Sequence, residues 1–374
     1  MSGLFDSTSI NGMQLRNRFV RSATWEGMCD NDGRPTEKLV QCYRNLAIGG
    51  AGLIITGYSF VRLDGKQLPS KMGIHRDDFA PEMKALTKAV HDKQGRICVQ
   101  LVHAGALSAS KPEQARLLAP SAVEAPTYST VPSEMTAKDI GELVAAFGDG
   151  ARRAREWGFD AVQLHAAHGY LINQFLSPLT NQRTDAYGGS IENRSRFLLE
   201  VYGAARSAVG KDFPVTVKLN GSDFLAGGLT SDDALFAAMA LAAEDVDAIE
   251  VSGGTAASGD MTPVRTKIER REQEAYNLPL AGRIKQAVTC PVMVVGGVRS
   301  YETAQEIIEE EKADYVALAR PLIREPGLVR RWQEGDHARA RCISCNGCFK
   351  PGLKGSGIYC VVDKLEREGK GQSL

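Results

Sequence analysis

The stretch Val292-Met293-Val294-Val295-Gly296-Gly297, followed one helix length later by Tyr315-Val316-Ala317-Leu318-Ala319-Arg320-Pro321, decides how the chain folds. Each half begins with a short apolar run, as expected of a strand covered on both faces. Working outward, similar runs occupy 18–24, 52–56, 97–102, 161–165, 215–219 and 248–251, with 292–295 and 315–319 completing the series. Helix-length stretches separate them. Thr136-Ala137-Lys138-Asp139 and Thr230-Ser231-Asp232-Asp233 fit the capping box, in which a hydroxyl and an acid satisfy orphan amides. Gly49-Gly50 and Gly158 stand where helices should stop before the next strand. Strands interleaved with helices in this way leave a closed barrel or a doubly wound sheet. The doubly wound class marks its phosphate turn with Gly-x-Gly-x-x-Gly, and no such motif is present. The glycine pair instead follows the seventh run and Arg320 the eighth, where a barrel builds its phosphate site. The sequence therefore predicts an α/β chain: a single (β/α)8 TIM barrel over residues 1–334, with a short Cys-rich segment, 335–374, packed on it.

The 374 residues carry 45 Lys and Arg against 45 Asp and Glu. That neutral balance gives no reason to expect a nucleic-acid partner, which usually demands a basic excess. The opening Met1-Ser2-Gly3-Leu4-Phe5-Asp6 lacks a secretory signal pattern, and no apolar run approaches the roughly 20 residues that span a bilayer. The expectation is a cytoplasmic protein with no membrane association. Of eight cysteines, four fall between 342 and 360. A reducing compartment disfavours disulfides, so that cluster asks for a metal.

In a barrel, polar residues at the C-terminal ends of strands face the site. Strand three contains Gln100, strand four runs into His165-Ala166-Ala167-His168-Gly169-Tyr170, strand five contains Lys218, and strand eight ends at Arg320. These groups suit a flavin. A fixed cation such as Lys218 stabilises the charge that reduced flavin gathers at its N1/C2 carbonyl edge. Gln100 donates and accepts at once, matching a pyrimidine edge, and Gly297 with Arg320 supplies the amide and cation of a phosphate site. His165 and His168 can hold a substrate carbonyl or nitro oxygen and polarise the adjacent double bond. Tyr170, with a reference pKa near ~10, can give a proton to the α-carbon. Taken alone, His-x-x-His is also the pattern of a zinc site or of two core histidines, and a Gly-Gly pair is often only a turn.

From His165 to Phe197 the chain reads His-Ala-Ala-His-Gly-Tyr-Leu-Ile-Asn-Gln-Phe-Leu-Ser-Pro-Leu-Thr-Asn-Gln-Arg-Thr-Asp-Ala-Tyr-Gly-Gly-Ser-Ile-Glu-Asn-Arg-Ser-Arg-Phe. This resembles the signature of the old yellow enzyme family of FMN-dependent ene reductases. The resemblance runs from Asn17-Arg18-Phe19-Val20 to Ala319-Arg320-Pro321. It implies that His165 and His168 bind the substrate oxygen and Tyr170 donates the proton. It implies further that Gln100 and Lys218 touch the flavin pyrimidine edge, and that Ala23, Thr24 and Gly57 line the isoalloxazine. The strand-seven and strand-eight turns, Gly296-Gly297 and Ala319-Arg320, would then hold the phosphate. Two positions depart from the pattern: Lys218 stands where many relatives have Arg, and Trp25 where several have Cys or a hydroxyl residue.

Cys342-x-x-Cys345-x-x-Cys348, followed after eleven residues by Cys360, resembles the iron–sulfur segment of 2,4-dienoyl-CoA reductase and trimethylamine dehydrogenase. Such a set suits a [4Fe-4S] cluster or a structural zinc. Those relatives continue into a second nucleotide-binding region, whereas this sequence stops at Leu374. Either a separate reductase docks near 342–360 and feeds electrons inward, or the cysteines hold zinc or nothing.

The resemblance thus implies an ene reductase in which NADH, NADPH or a partner protein reduces FMN. The flavin N5 hydride then goes to the β-carbon of a small-molecule activated alkene: an enone, a nitroalkene or a dienoyl thioester. The competing readings are an amine-dehydrogenase-like flavoenzyme, which needs a covalent cysteinyl flavin, and an electron-transfer module with no substrate of its own. A homo-oligomer is compatible with any of them.

Overall fold

The computed structural model describes residues 3–109 and 116–369. Eight parallel strands form the barrel: β1 (Phe19–Arg21), β2 (Leu53–Ile55), β3 (Ile97–Val102), β4 (Ala161–Ala166), β5 (Val215–Asn220), β6 (Ala248–Ser252), β7 (Val292–Val295) and β8 (Tyr315–Leu318). Neighbours in sequence are neighbours in the sheet, and β8 pairs back onto β1, with Ala317 opposite Val20, so the sheet closes. All eight strands fall on the runs read from the sequence. After β2, Ser59–Phe60 continues alongside β3.

Twelve helices are seen among the described residues: α1 (Glu37–Ile48), α2 (Ala80–His91), α3 (Ala137–Glu156), α4 (Leu171–Leu176), α5 (Ile191–Val209), α6 (Ser231–Ala243), α7 (Leu278–Lys285), α8 (Tyr301–Glu309), α9 (Arg320–Arg324), α10 (Leu328–Gln333), α11 (Phe349–Leu353) and α12 (Val361–Arg367). Both expected capping boxes are made. The Thr136 hydroxyl accepts from the Asp139 amide at 3.2 Å while Asp139 accepts from the Thr136 amide at 2.8 Å, and Thr230 and Asp233 repeat the exchange. Gly158, at φ +87°, turns the chain out of α3 in a conformation costly for any residue with a Cβ.

The two faces of each strand explain why these runs read as apolar. The outward set, including Phe19, Ile54, Val99, Leu101, Val162, Leu164, Val217, Ile249, Val294 and Val316, packs under the helices in one core. Ile55, Val295 and Ala317 keep the inward set apolar along β2, β7 and β8, and it is apolar near most strand starts. There Leu53, Cys98, Ala161, Ala248, Met293 and Tyr315 meet Ile10, Met13 and Leu15 of an N-terminal hairpin (Thr8–Ile10 with Met13–Leu15), which plugs that end. Towards the ends of β3 to β6 the inward positions become polar and buried: Gln100, Gln163, His165, Lys218, Asn220, Glu250 and Ser252. Isolated polar groups in such a place cost several kcal/mol each, so they must satisfy one another or a ligand.

Much of the 165–197 stretch is scaffold. Asn181 Nδ2 donates to the Phe175 and Tyr187 carbonyls at 2.7 Å each, and Arg183 Nη1 donates to Pro120 and Met135 at 2.8 and 2.7 Å. Arg194 Nε donates to the Leu176 carbonyl at 2.8 Å, tying α5 to the end of α4. Beyond α10 the chain crosses the mouth of the barrel. The Ala340 amide donates to Arg299, Arg324 Nη1 to the Arg341 carbonyl, and the Ile358 amide to Glu26. No helix among the described residues is long and apolar enough to cross a membrane.

Candidate active site

A cavity of about 330 Å³ opens at the C-terminal ends of the strands. Of the residues singled out from the sequence, Ala23, Thr24, Gln100, His165, His168, Tyr170, Lys218, Gly297, Ala319 and Arg320 all line it. Gly57 and Gly296 are not among its lining residues. The Gly57 amide is turned towards Glu26 and the Tyr43 hydroxyl, at 3.2 and 3.0 Å, and a side chain there would strike Glu26. Gly296 lies beneath Tyr276, whose ring would meet an added Cβ at 3.2 Å. Both glycines pack closely against these neighbours.

Strand register assembles the floor. Lys218 is the Cα partner of His165 on one side and Glu250 on the other, and Gln100 is the partner of Gln163. Gln100 Nε2 donates to Gln163 Oε1 at 2.7 Å, and Gln163 Nε2 donates to Glu250 Oε2 at 3.0 Å. Glu250 Oε1 accepts from Lys218 Nζ at 3.0 Å and from Ser22 Oγ at 2.6 Å, and Lys218 also donates to Ser22 at 2.8 Å. The sequence reading singled out Lys218 and missed Glu250, whose side chain is 0% exposed and balances the ammonium. An ammonium has three donors, and these bonds use two; one remains for the cavity. Gln100 likewise keeps its amide oxygen.

Above the floor stand the two histidines and a pair of tyrosines. His165 and His168 are edge to face with ring centroids 5.0 Å apart, and Tyr170 lies 4.9 Å from His165. His168 Nε2 shares a 2.8 Å hydrogen bond with Ser252 Oγ, whereas His165 Nδ1 is buried with no partner among the described residues. Burial, then His168 and the two lysines Lys218 and Lys71, hold His165 well below the usual imidazole range; burial and then Lys218 do the same to His168. Both rings are therefore neutral near pH 7, each carrying one N–H. Burial pushes the Tyr170 phenol up to about 12, so it keeps its proton. Its hydroxyl donates to Gln67 Oε1 at 2.8 Å, and Tyr58, 5.0 Å away ring to ring, also bonds Gln67. Lys71 closes this side, with its ammonium 2.8 Å from the centre of the Tyr58 ring.

The opposite end is cationic. Arg320 Nη1 donates to the Ser344 carbonyl at 3.3 Å and to Asn346 Oδ1 at 2.6 Å. Arg299, absent from the sequence reading, also lines the cavity, and its buried Nε has no partner among the described residues. Gly297 adopts φ +75°, and an added Cβ would sit 2.8 Å from Tyr276, so only glycine brings its backbone to the cavity there. Trp25 walls one side against Gly352, where a Cβ would meet the indole at 3.1 Å; α11 adds Phe349 and Leu353. Cys29, the cysteine nearest to β1 in sequence, is not among the lining residues.

Cys342, Cys345, Cys348 and Cys360 all line one small cavity of about 20 Å³ beside Arg320 and Arg324. Among the described residues no three His, Cys, Asp or Glu side chains are gathered closely enough to hold a metal ion. Cys345 sits exposed on a turn between Ser344 and Asn346, both in the left-handed region, while Cys348 is buried and its thiol raised to about 12 by that burial. The space found is that of about one water, so the expected metal set is convergent but not closed.

A family model described as the NADH:flavin oxidoreductase / NADH oxidase family matches residues 3–338. The metal reductase of Desulforamulus reducens is 37% identical over 365 residues, 97% of this chain and 54% of that protein. The chain spans about half the length of that protein and of the NADH oxidase of Thermoanaerobacter brockii, 54% and 56%. Among solved structures, a 2-naphthoyl-CoA reductase in complex with 2-naphthoyl-CoA superposes with TM-score 0.89 at 26% identity, over 99% of this chain and 58% of that one. An old yellow enzyme homologue from Zymomonas mobilis superposes with TM-score 0.77 at 30% identity, over 89% and 93% of the two chains.

Proposed function

The chain belongs to the NADH:flavin oxidoreductase / NADH oxidase family, and on that premise we propose that it is an FMN-dependent ene reductase acting on an activated alkene. The observation that carries this reading is the pairing of two neutral imidazoles, one with an orphaned Nδ1, beside a phenol that keeps its proton. A site for electron transfer alone has no use for a proton donor.

The cavity's own residues suit FMN. The unused Lys218 donor and the Gln100 amide oxygen match the polar edge of the ring system, while Arg320, Arg299 and the Gly297 backbone match its phosphate. FMN held there would supply hydride for the β-carbon. His165 and His168 orient the substrate's carbonyl or nitro oxygen and withdraw charge through their N–H groups, which are worth most in a water-poor site. Tyr170 delivers the α-proton, with Gln67 and Tyr58 fixing the direction of its hydroxyl. Enones, nitroalkenes and unsaturated thioesters all offer the oxygen that such a pair requires. The test is steady-state reduction of cyclohexenone and a nitrostyrene with NADH or NADPH. Tyr170→Phe should lower turnover about 10²- to 10⁴-fold while FMN content is unchanged. Reduction of neither alkene, or a variant as fast as the parent, overturns the reading.

A second reading concerns the four thiols on one cavity. Cys342, Cys345, Cys348 and Cys360 would together hold a [4Fe-4S] cluster, for which four thiolates are the usual ligand set. Anaerobically purified protein should then carry about four iron and four sulfide per chain, lost in Cys348→Ser. Zinc in their place, or no metal at all, refutes it.

A further inference from the structure

Lys71 is buried at 2% exposure on the wall of the cavity, yet among the described residues nothing hydrogen-bonds to or ion-pairs with its ammonium. It is the other cation at the substrate end, and unlike Lys218 it has no carboxylate of its own. Glu26, the carboxylate whose field reaches it, is already held by Arg21 at 2.6 Å and by the Tyr43 hydroxyl at 2.7 Å. Its one contact of note is the face of Tyr58, which leaves the N–H groups without an acceptor. Tyr58 in turn packs on Tyr170 and His165, so the ammonium stands next to the groups that handle the substrate's oxygen and proton. Nothing in the FMN chemistry calls for it, because the cationic work at the ring edge and the phosphate falls to Lys218, Arg299 and Arg320.

We propose that Lys71 forms an anion subsite, so that the alkene this protein reduces carries a carboxylate in addition to its activating carbonyl. The proposal deepens the ene-reductase reading and rests on it for the orientation of the substrate. Burial holds the amine well below its usual pKa and so favours its neutral form in the empty site, and an arriving carboxylate favours the ammonium by supplying its counter-charge. A buried charge left without a partner is costly, and a ligand that supplies that partner gains accordingly. Trp25, Leu68 and Leu353, apolar residues that line the same cavity, would accept the carbon skeleton between the two polar ends.

The test compares 3-oxocyclohex-1-ene-1-carboxylate with its methyl ester as substrates. Their saturated counterparts serve as unreactive ligands, titrated into the FMN-loaded protein by calorimetry. Lys71→Met keeps the stem and removes the charge, while Lys71→Arg keeps the charge. In Lys71→Met, binding of the saturated acid and kcat/KM for the unsaturated acid should both fall about 10- to 100-fold. The ester should be unchanged, and Lys71→Arg should recover most of the loss. Equal effects on acid and ester, no effect on either, or a parent protein that binds the ester as tightly as the acid overturns the subsite. If neither alkene is reduced, the ene-reductase reading fails. The calorimetric preference for the saturated acid still tests Lys71 by itself.

Discussion

Replacing Glu250 with leucine should destabilise the barrel through Lys218 rather than through the lost carboxylate alone. The side chain is fully buried and accepts three hydrogen bonds, from Lys218, Ser22 and Gln163. Its loss leaves the Lys218 ammonium, itself 4% exposed, with only the Ser22 hydroxyl. Stripping one partner from a buried ion pair costs about 3–5 kcal/mol. Unfolding entropy of about 2.1 cal/mol/K per residue, over 374 residues, gives about 0.8 kcal/mol/K, so the midpoint should fall by about 4–6 °C. The assay is a near-ultraviolet circular dichroism melt on flavin-free protein, because bound FMN would add its own stabilisation. Lys218→Met should cost a similar amount. The double variant Glu250→Leu/Lys218→Met should cost clearly less than the sum, since two apolar groups leave no buried charge. Single costs that add to within about 0.5 kcal/mol refute the pairing, as does a Glu250→Leu melt that matches the parent.

Two further outcomes follow from the site. Arg320→Met should weaken FMN binding by about 10- to 100-fold and leave riboflavin binding unchanged, measured by fluorescence quenching; equal losses for both would remove Arg320 from the phosphate. The pH profile of alkene reduction should be flat through the usual histidine range. His165 and His168 are held well below 6.5 and stay neutral, and Tyr170 loses its proton only as pH rises through about 12. Stability behaves differently. The unfolded chain protonates these histidines near ~6.5 while the folded one does not, so stability falls as pH drops below that value. A rate that titrates near 6.5 without unfolding contradicts the neutral assignment.

The barrel was legible because a parallel strand covered on both faces must be apolar on its outward side, as Leu101, Val162 and Val217 are. Inward polar residues interrupt that pattern singly, so Gln100, His165 and Lys218 stood out. Glu250 did not, because the significance of a lone acid inside Ala248–Ser252 depends on a partner 32 residues earlier, and on Ser22, 228 residues earlier. The register that joins them is a property of the closed sheet. The resemblance places Gly57 at the isoalloxazine and Gly296 in the phosphate turn. Only the positions of Glu26 and Tyr276 show what approaches them. Lys71 and Gln67 lie in an irregular stretch after β2, where no periodicity says which side chain turns inward. The cysteine spacing pointed to one shared site, and the four thiols do line one cavity, but spacing carries no information on how far apart the sulfurs rest.

The most direct measurement is a single turnover under anaerobic conditions. FMN-loaded protein is reduced with one equivalent of NADH or NADPH, mixed with cyclohexenone, and followed by flavin absorbance with product analysis. The account predicts return of the oxidised flavin spectrum together with one equivalent of cyclohexanone, and with Tyr170→Phe a return slowed or lost. Flavin that stays reduced in the presence of excess enone would contradict it.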